Sequence, residues 1–593
     1  MGTPAGGERA AGWRETMVSV HDLIITGGTL VDGTGTAARP ADVAVDSGRI
    51  TEVGTVLGGA TQVIEADGLL VTPGWVDVHT HYDGQVTWDS ELAPSSWHGV
   101  TTLVMGNCGV GFAPARPDRH DWLIGLMEGV EDIPGTALAE GIEWEWESFP
   151  QYLDALEQRR WTVDVGTQVP HAAVRAYVMG ERGARNEAAT AEDIEAMRAI
   201  VLEAIRAGAL GFSTSRTLGH RAIDGELVPG TFAAEDELFG IGSALGEAGA
   251  GVFELAPLGS AGEMLEDAWQ EVDWMRRLSA AIDRPVSYVL LQADDDPELW
   301  RKQLAASLEA CAEGARLFPQ IAGRPTGILS GHHTTLCLFS EFPAYMELLA
   351  RCGSTAELAT ALADPEVRRS IVSWTPSSPA QANAMAKAYE RTFILGDPPD
   401  YEPGPERSLA GTAAASGRSP LEVAYDEMAR GGGQGLLYIP ILNYATGDLD
   451  HVREMMLHPQ GLLGLADGGA HTGTICDASM PTFMLTHWTR DRSRGDLLPL
   501  EYVVQKQTRD TARLYGLADR GTVEPGALAD FNLIDYDALT LGAPFVTNDL
   551  PAGGRRLLQK ASGYVATIKA GTVTFEHGEP TGALPGRLVR GAR

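Results

Sequence analysis

Val78-His79-Thr80-His81 and, far downstream, Leu465-Ala466-Asp467-Gly468 decide how this chain is read. His79 and His81 follow an apolar run, Leu69 to Val78, interrupted only by Thr72-Pro73-Gly74 and Asp77. Such a run predicts a buried strand with its polar residues gathered at the C-terminal end. Side chains two apart on a strand share a face. An H-x-H pair therefore aims two imidazoles at one point, as a divalent metal requires. Asp467 closes a second apolar strand, Gly461 to Ala466, in the same way. Two His and one Asp at strand ends, distant in sequence, predict a barrel rim carrying a hydrolytic metal.

Between these two stretches the pattern alternates. Strands are predicted at 69–79, 100–106, 163–170, 209–215, 250–256, 285–291, 435–442 and 461–467. Helices are predicted at 190–207 and 234–249, the first opened by the capping-type run Thr190-Ala191-Glu192-Asp193. Eight strands with helical crossovers fit a TIM-like (β/α)8 barrel over 71–514. The stretch 292–434 is too long for one crossover and is expected to be an insertion. The two ends of the chain are different in style. Leu23-Ile24-Ile25-Thr26 meets Gly27-Gly28, and Asp42-Val43-Ala44-Val45 meets Asp46-Ser47-Gly48, as in hairpins. Ala529 to Asp535 and Tyr564 to Gly571 repeat that style. One small β-sandwich is therefore expected from 21–70 and 515–593, preceded by an N-terminal tail over 1–20.

The composition excludes several classes. With 593 residues the chain can bury a large core. Its 80 acidic and 45 basic residues leave a formal net charge of -35, which disfavours nucleic acid and anionic membranes. The 5 cysteines (Cys108, Cys311, Cys337, Cys352, Cys476) show no CxxC spacing, so a reducing cytoplasm is expected. No apolar run reaches the roughly 20 residues of a membrane span. Met1 to Thr16 lacks the apolar segment of a secretory signal, and Met17 offers an alternative start. The expected partners are a small-molecule amide and further copies of the chain, with no nucleic acid and no membrane.

Other side chains fall at predicted strand ends. Cys108 lies in Met105-Gly106-Asn107-Cys108-Gly109-Val110-Gly111, just past strand 100–106, where a thiolate would reach a rim metal. His171 ends strand 163–170, and Arg216 and His220 follow Phe212 to Ser215. His471 comes soon after Asp467. His171, Arg216, His220 and His471 are candidate substrate contacts. His332-His333 is a poor ligand pair, because adjacent side chains point apart. Ser213 and Ser215 lack the G-x-S-x-G surroundings of a nucleophile elbow. Asp467 is the candidate catalytic acid-base group, since a carboxylate beside an activated water can carry its proton to a leaving nitrogen.

From about Asp22 to Gly591 the chain resembles the amidohydrolase superfamily, and within it the N-acyl-D-amino-acid deacylase (D-aminoacylase) group. The resemblance rests on Leu23 to Gly35, Pro73 to Asp83, Gly106-Asn107-Cys108-Gly109, Gly516 to Gly521 and Pro525 to Phe531. It implies a barrel with a composite sandwich, and zinc held by His79, His81, Cys108 and Asp467. It also implies hydrolysis of an amide-type C–N bond other than a peptide bond.

The chain departs from the group in three places. The fifth-strand Y-x-T-H motif corresponds to Phe253-Glu254-Leu255-Ala256, and the sixth-strand I-S-H-x-K motif to Val286-Ser287-Tyr288-Val289-Leu290. Neither has a His, so one zinc per chain is expected rather than two, unless Glu254 or a relocated His restores a second ion. The H-P-R run whose Arg resembles a carboxylate clamp corresponds to Asp477 to Phe483, which has no Arg. Arg216 is the substitute to consider. Two alternatives differ in class. A cyclic-amide hydrolase of hydantoinase or dihydroorotase type usually needs a carboxylated Lys, yet the first Lys here is Lys302. A catalytically reduced, non-enzymatic relative would not need His79, His81, Cys108 and Asp467 intact.

Overall fold

The computed structural model describes residues 20–56 and 58–591. The predicted tail over 1–20 therefore lies outside the described residues except for Val20. The architecture is mixed α/β.

The strand Leu70–Pro73 shows how the layers join. It pairs antiparallel with Phe531–Ile534 and parallel with Thr29–Leu30, inside a seven-stranded sheet made from both chain ends. A four-stranded sheet of Arg49–Gly54, Asp42–Asp46, Val20–Thr26 and Gly59–Glu65 faces it. The two sheets bury one apolar core containing Ile25, Val43, Val71, Phe531, Leu533 and Ile568. After Pro73 the chain turns at Gly74 into a second strand, Trp75–Asp77, that belongs to another layer. The expected strand 69–79 is thus two strands in two sheets. Gly74 is required at the turn, because a Cβ there would lie 2.2 Å from Thr101 Oγ1.

From Trp75 onward parallel strands pair in chain order. Trp75–Asp77 pairs with Val100–Met105, and that strand with Asp164–Thr167. Val169–Pro170 continues the third strand and pairs with Gly211–Ser215. Val252–Ala256, Val286–Val289, Leu317–Ile321 and Leu462–Leu463 follow. The circuit returns on itself: Thr80 bridges Gly468 in parallel, His81 N donates to Gly468 O (2.8 Å), and Asp467 N donates to His79 O (3.1 Å). The second to sixth strands are buried along their length, as parallel strands covered on both faces must be. Helices Ala191–Ala207 and Glu235–Ala248 stand close to their predicted limits. Thr190 and Asp193 form a reciprocal capping box on the first, and Gly208 ends it at φ 117.

Two expectations are corrected here. The seventh parallel strand is Leu317–Ile321, which lies inside the stretch read as insertion, and Leu299–Ala312 is the helix leading to it. The run expected as that strand, 435–442, instead forms Leu437–Leu442 in an antiparallel sheet with Thr326–Ser330 and Phe393–Ile394. Leu437 joins a separate core with Phe339, Phe342, Tyr345, Leu409, Tyr425 and Met428, whereas Tyr438 packs into the main core. Leu317–Ile321 carries Pro319, and a Pro argues against a central strand when only the sequence is read. The inserted layer therefore begins after Ile321, and 435–442 belongs to it.

The far C-terminal segment closes the structure. Val165 N donates to Arg587 O, and Gly591 N to Gly208 O, so residues after 586 line the start of the third and fourth strands. Lys569 Nζ and Arg520 Nη1 each lie 2.8 Å from Asp164 Oδ2, tying the end layer to the third strand through a buried ion cluster. Among the described residues no helix is long and apolar enough to cross a membrane.

Candidate metal centre

His79 and His81 flank Thr80, whose bridge to Gly468 holds the segment extended beyond the first parallel strand. Their rings lie 5.4 Å apart between centroids, both fully buried. Cys108 comes from the Gly-rich turn after the second strand, at φ 52. That turn is held from both sides. Asn107 Nδ2 donates to Thr80 O (3.1 Å) and Val104 O (3.0 Å), and Cys108 N donates to Glu254 Oε2 (3.0 Å). Ligand atoms of His79, His81 and Cys108 all fall within 4.8 Å of one another. Asp467 joins them from the end of the circuit, with Oδ1 3.5 Å from His79 Nε2 and 4.0 Å from His81 Nε2. Strand structure stops at Leu463, and Leu465 and Asp467 take φ 62 and 48. Left-handed backbone at non-Gly residues is strained, and here it lies where side chains converge.

The imidazoles are oriented from behind. His79 Nδ1 lies 2.7 Å from Gln320 Oε1, leaving Nε2 toward Cys108 Sγ at 3.3 Å. Gln320 Nε2 donates to Ser287 Oγ (3.0 Å), which fixes which way the amide points. His81 Nδ1 lies 3.2 Å from Glu131 Oε1. His79 thus presents Nε2 inward and spends Nδ1 on an outer partner, the arrangement that orients metal-bound histidines, while His81 Nδ1 sits beside Glu131 without a hydrogen bond.

Electrostatics point the same way. Burial pushes the Cys108 thiol and the Asp467 and Glu131 carboxyls well above their ordinary ranges, with neighbouring acids adding to the effect. Burial raises Glu254 to about 8 and lowers His79 to about 4. His81 Nδ1, Glu131 Oε2 and Glu254 Oε1 are buried without a hydrogen-bond partner. A cluster of buried acids and a thiol is disfavoured without compensation. A dication among them would restore the charged forms, so the donor set fits zinc.

A cavity of about 110 Å³ opens over this cluster, lined by His79, His81, Cys108, Glu131 and Asp467 together with His220 and His471. His220 Nδ1 is held 3.0 Å from Ser215 Oγ, and His471 Nε2 lies 3.8 Å from Glu131 Oε2. The other two expected substrate contacts are corrected. His171 starts the helix His171–Met179, with Nδ1 2.8 Å from Thr214 Oγ1 and Nε2 3.0 Å from Glu237 Oε1. It braces the wall and does not line the cavity. Arg216 is committed elsewhere, its Nε donating to Glu271 Oε2 (2.8 Å) and Nη1 to Ala233 O (2.8 Å). Tyr288, set against the sixth-strand histidine, also turns away, its hydroxyl 2.5 Å from Ser307 Oγ. Val289 faces the cavity in its place, beside Ala256 from the fifth strand.

Sequence reasoning missed Glu131 and Gln320. Glu131 ends an ordinary amphipathic helix, His120–Glu131, and only its burial distinguishes it. Gln320 carried a signal, a polar residue inside the apolar run Leu317 to Ile321.

Three comparisons bear on this geometry. The profile of the amidohydrolase family matches residues 62–575. D-aminoacylase of Alcaligenes xylosoxydans xylosoxydans is 26% identical over 96% of this chain and 97% of its own length. A D-aminoacylase structure, described with a binuclear metal center, one-metal activation and second-metal attenuation, superposes with a TM-score of 0.64 at 25% identity, covering 96% of this chain and 100% of that one. The N-acyl-D-glutamate deacylase of Bordetella bronchiseptica, complexed with zinc and a phosphonate mimic of the tetrahedral intermediate, gives 0.63 at 25% identity, with the same coverage. The cluster at the strand ends and the match along nearly the whole chain agree: this chain belongs to the amidohydrolase family.

Proposed function

We propose that the chain is a zinc-dependent amidohydrolase of the N-acyl-D-amino-acid deacylase type, cleaving an amide C–N bond outside peptides. The observation that carries this reading is the convergence of His79, His81 and Cys108 within 4.8 Å, with Asp467 beside them. The parallel circuit is read as a (β/α)8 barrel over 71–514, and the end sheets as a composite sandwich from 21–70 and 515–593. The pairing in chain order and the shared core of the two end sheets support that division. One zinc per chain is the favoured count, since Ala256 and Val289 offer no donor where the cavity meets the fifth and sixth strands. Five unpaired cysteines support a cytoplasmic location.

His79 and His81 would hold the ion through Nε2, with Cys108 and Asp467 completing the donors. When bound, zinc supplies a Lewis acid that polarises the scissile carbonyl and makes water nucleophilic near neutral pH. Asp467 accepts the proton of the attacking water and returns it to the leaving nitrogen. His220 and His471 line the cavity and orient the substrate's polar atoms. Gln320 holds the His79 imidazole by a hydrogen bond, and Glu131 stands beside that of His81.

Asp467→Asn tests the central role. The variant keeps a similar side-chain volume and the two histidines. It should retain the fold and most of the zinc while losing roughly 10²–10⁴-fold in kcat, the usual contribution of an essential acid-base group. Turnover within about tenfold of wild type, with zinc content measured alongside, would move the proton transfer to another residue.

A further inference from the structure

The cavity over the cluster has apolar walls and acidic chemistry at its floor. Ala256, Ala261, Val289, Leu291, Leu442 and Leu465 supply the apolar surface. Glu131 and Asp467 are its acidic groups, and no Lys or Arg of the described residues lines it. Two arginines that follow strands of the parallel circuit, Arg216 and Arg324, are already spent. Arg216 is paired with Glu271. Arg324 is buried beneath the Tyr401 ring, where its Nε lies 3.1 Å from Asp477 Oδ1 and its Nη1 3.0 Å from Ser479 Oγ. A carboxylate is normally recognised by a charge-assisted, two-bond contact with a guanidinium. A free carboxylate entering here would meet buried acids and hydrocarbon instead, with no compensating cation beyond the metal site.

The loops that lead into the cavity repeat the theme. The loop after the fourth strand supplies Thr217 and His220 to the cavity, and the loop after the fifth supplies Ser260 and Ala261. The same loops expose Ile223, Phe232, Met264 and Trp269 to solvent. Exposed apolar side chains on loops that also line a cavity suit an apolar ligand.

We propose that the substrate is a neutral N-acyl amide, apolar on both sides of the scissile bond and lacking a free carboxylate on the amine side. This rests on the amide-hydrolysis chemistry of the deacylase reading and departs from it in the amine side, where an N-acyl amino acid would carry a free carboxylate. Water oxygen bonds to the carbonyl carbon, the C–N bond breaks with its electron pair on nitrogen, and nitrogen takes the proton carried by Asp467. The products are a carboxylic acid and an apolar amine.

The test uses the zinc-loaded full chain and three matched compounds: N-acetyl-D-phenylalanine, its methyl amide and N-acetyl-2-phenylethylamine. The expected result is a kcat/KM for the two neutral compounds equal to or above that for the acid. A preference for the acid above about a hundredfold, equivalent to about 2.7 kcal/mol, overturns this inference and leaves the deacylase reading standing. Cleavage of none of the three, with zinc present, overturns the deacylase reading and this inference with it. Leu442→Arg adds a cation at a half-buried wall position. It should raise the acid-to-neutral ratio of kcat/KM at least tenfold. A folded, zinc-loaded variant with an unchanged ratio also overturns the inference.

Discussion

Gln320 shows how one residue can govern a site it does not enter. It stands on the seventh parallel strand, one position after Pro319, and its amide is pinned between His79 Nδ1 and Ser287 Oγ. With Nδ1–H donating to Oε1, the lone pair of His79 rests on Nε2, which faces Cys108. Leu at position 320 would fill the space but accept no hydrogen bond. Gln320→Leu should lower zinc affinity about 10–100-fold with the fold intact, as outer partners of metal-bound histidines typically do. Competition against a chelator of known affinity measures this directly. An unchanged affinity would mean that packing alone orients the ring.

At the scale of elements, the inserted layer is joined to the rest through Glu402. Its carboxylate lies 2.9 Å from His487 Nε2 and 3.0 Å from Arg492 Nε and Nη2, and it accepts Leu449 N at 2.9 Å. Burial acts to raise its pKa, but the bonds from His487 and Arg492 prevail and hold it down at about 2. An acid whose folded pKa is depressed stabilises above its unfolded pKa, about 4.3 for Glu. That contribution fades as pH falls through the folded value. Glu402→Gln should therefore cost roughly 3 kcal/mol at neutral pH, the low end for one lost partner of a buried pair, because Asp450 remains on Arg492. Denaturant titrations should show the gap between variant and wild type closing as pH falls from about 4 toward 2. A gap independent of pH over that range would assign the loss to packing.

For the whole molecule, metal and fold are linked. The donors come from the first and second strands and from the end of the circuit, so an ion held by them fastens the beginning of the parallel circuit to its close. A ligand that binds only the folded state stabilises it in proportion to the logarithm of its saturation, about 4 kcal/mol at a thousandfold excess over Kd. Removal of zinc by chelation should lower Tm, and readdition should restore it. Elemental analysis of the reloaded protein should give nearer one zinc than two per chain, because Ala256 and Val289 stand where further donors would be needed. Two full-occupancy ions would show that Glu131 or Glu254 has taken the place of the missing histidines.

Local pattern and residue chemistry were enough to reveal the H-x-H pair, the Cys108 turn, the late Asp467, most of the strand order and the strand-rich chain ends. The reason is physical: strand periodicity and strand-end polarity are written in neighbouring residues. Tertiary structure alone decided which of two apolar runs entered the parallel circuit, because Leu437–Leu442 finds its partners in Thr326–Ser330 and Phe393–Ile394, far away in sequence. It also set Tyr288 outward and Val289 inward, since a one-residue change of phase reverses every side chain on a strand. His171 and Arg216 looked free in sequence and are bound by Glu237 and Glu271 in space. Glu131 reaches His81 only because the helix that carries it packs over the rim. Pairing across long separations depends on which surfaces meet after collapse, and no local pattern records that.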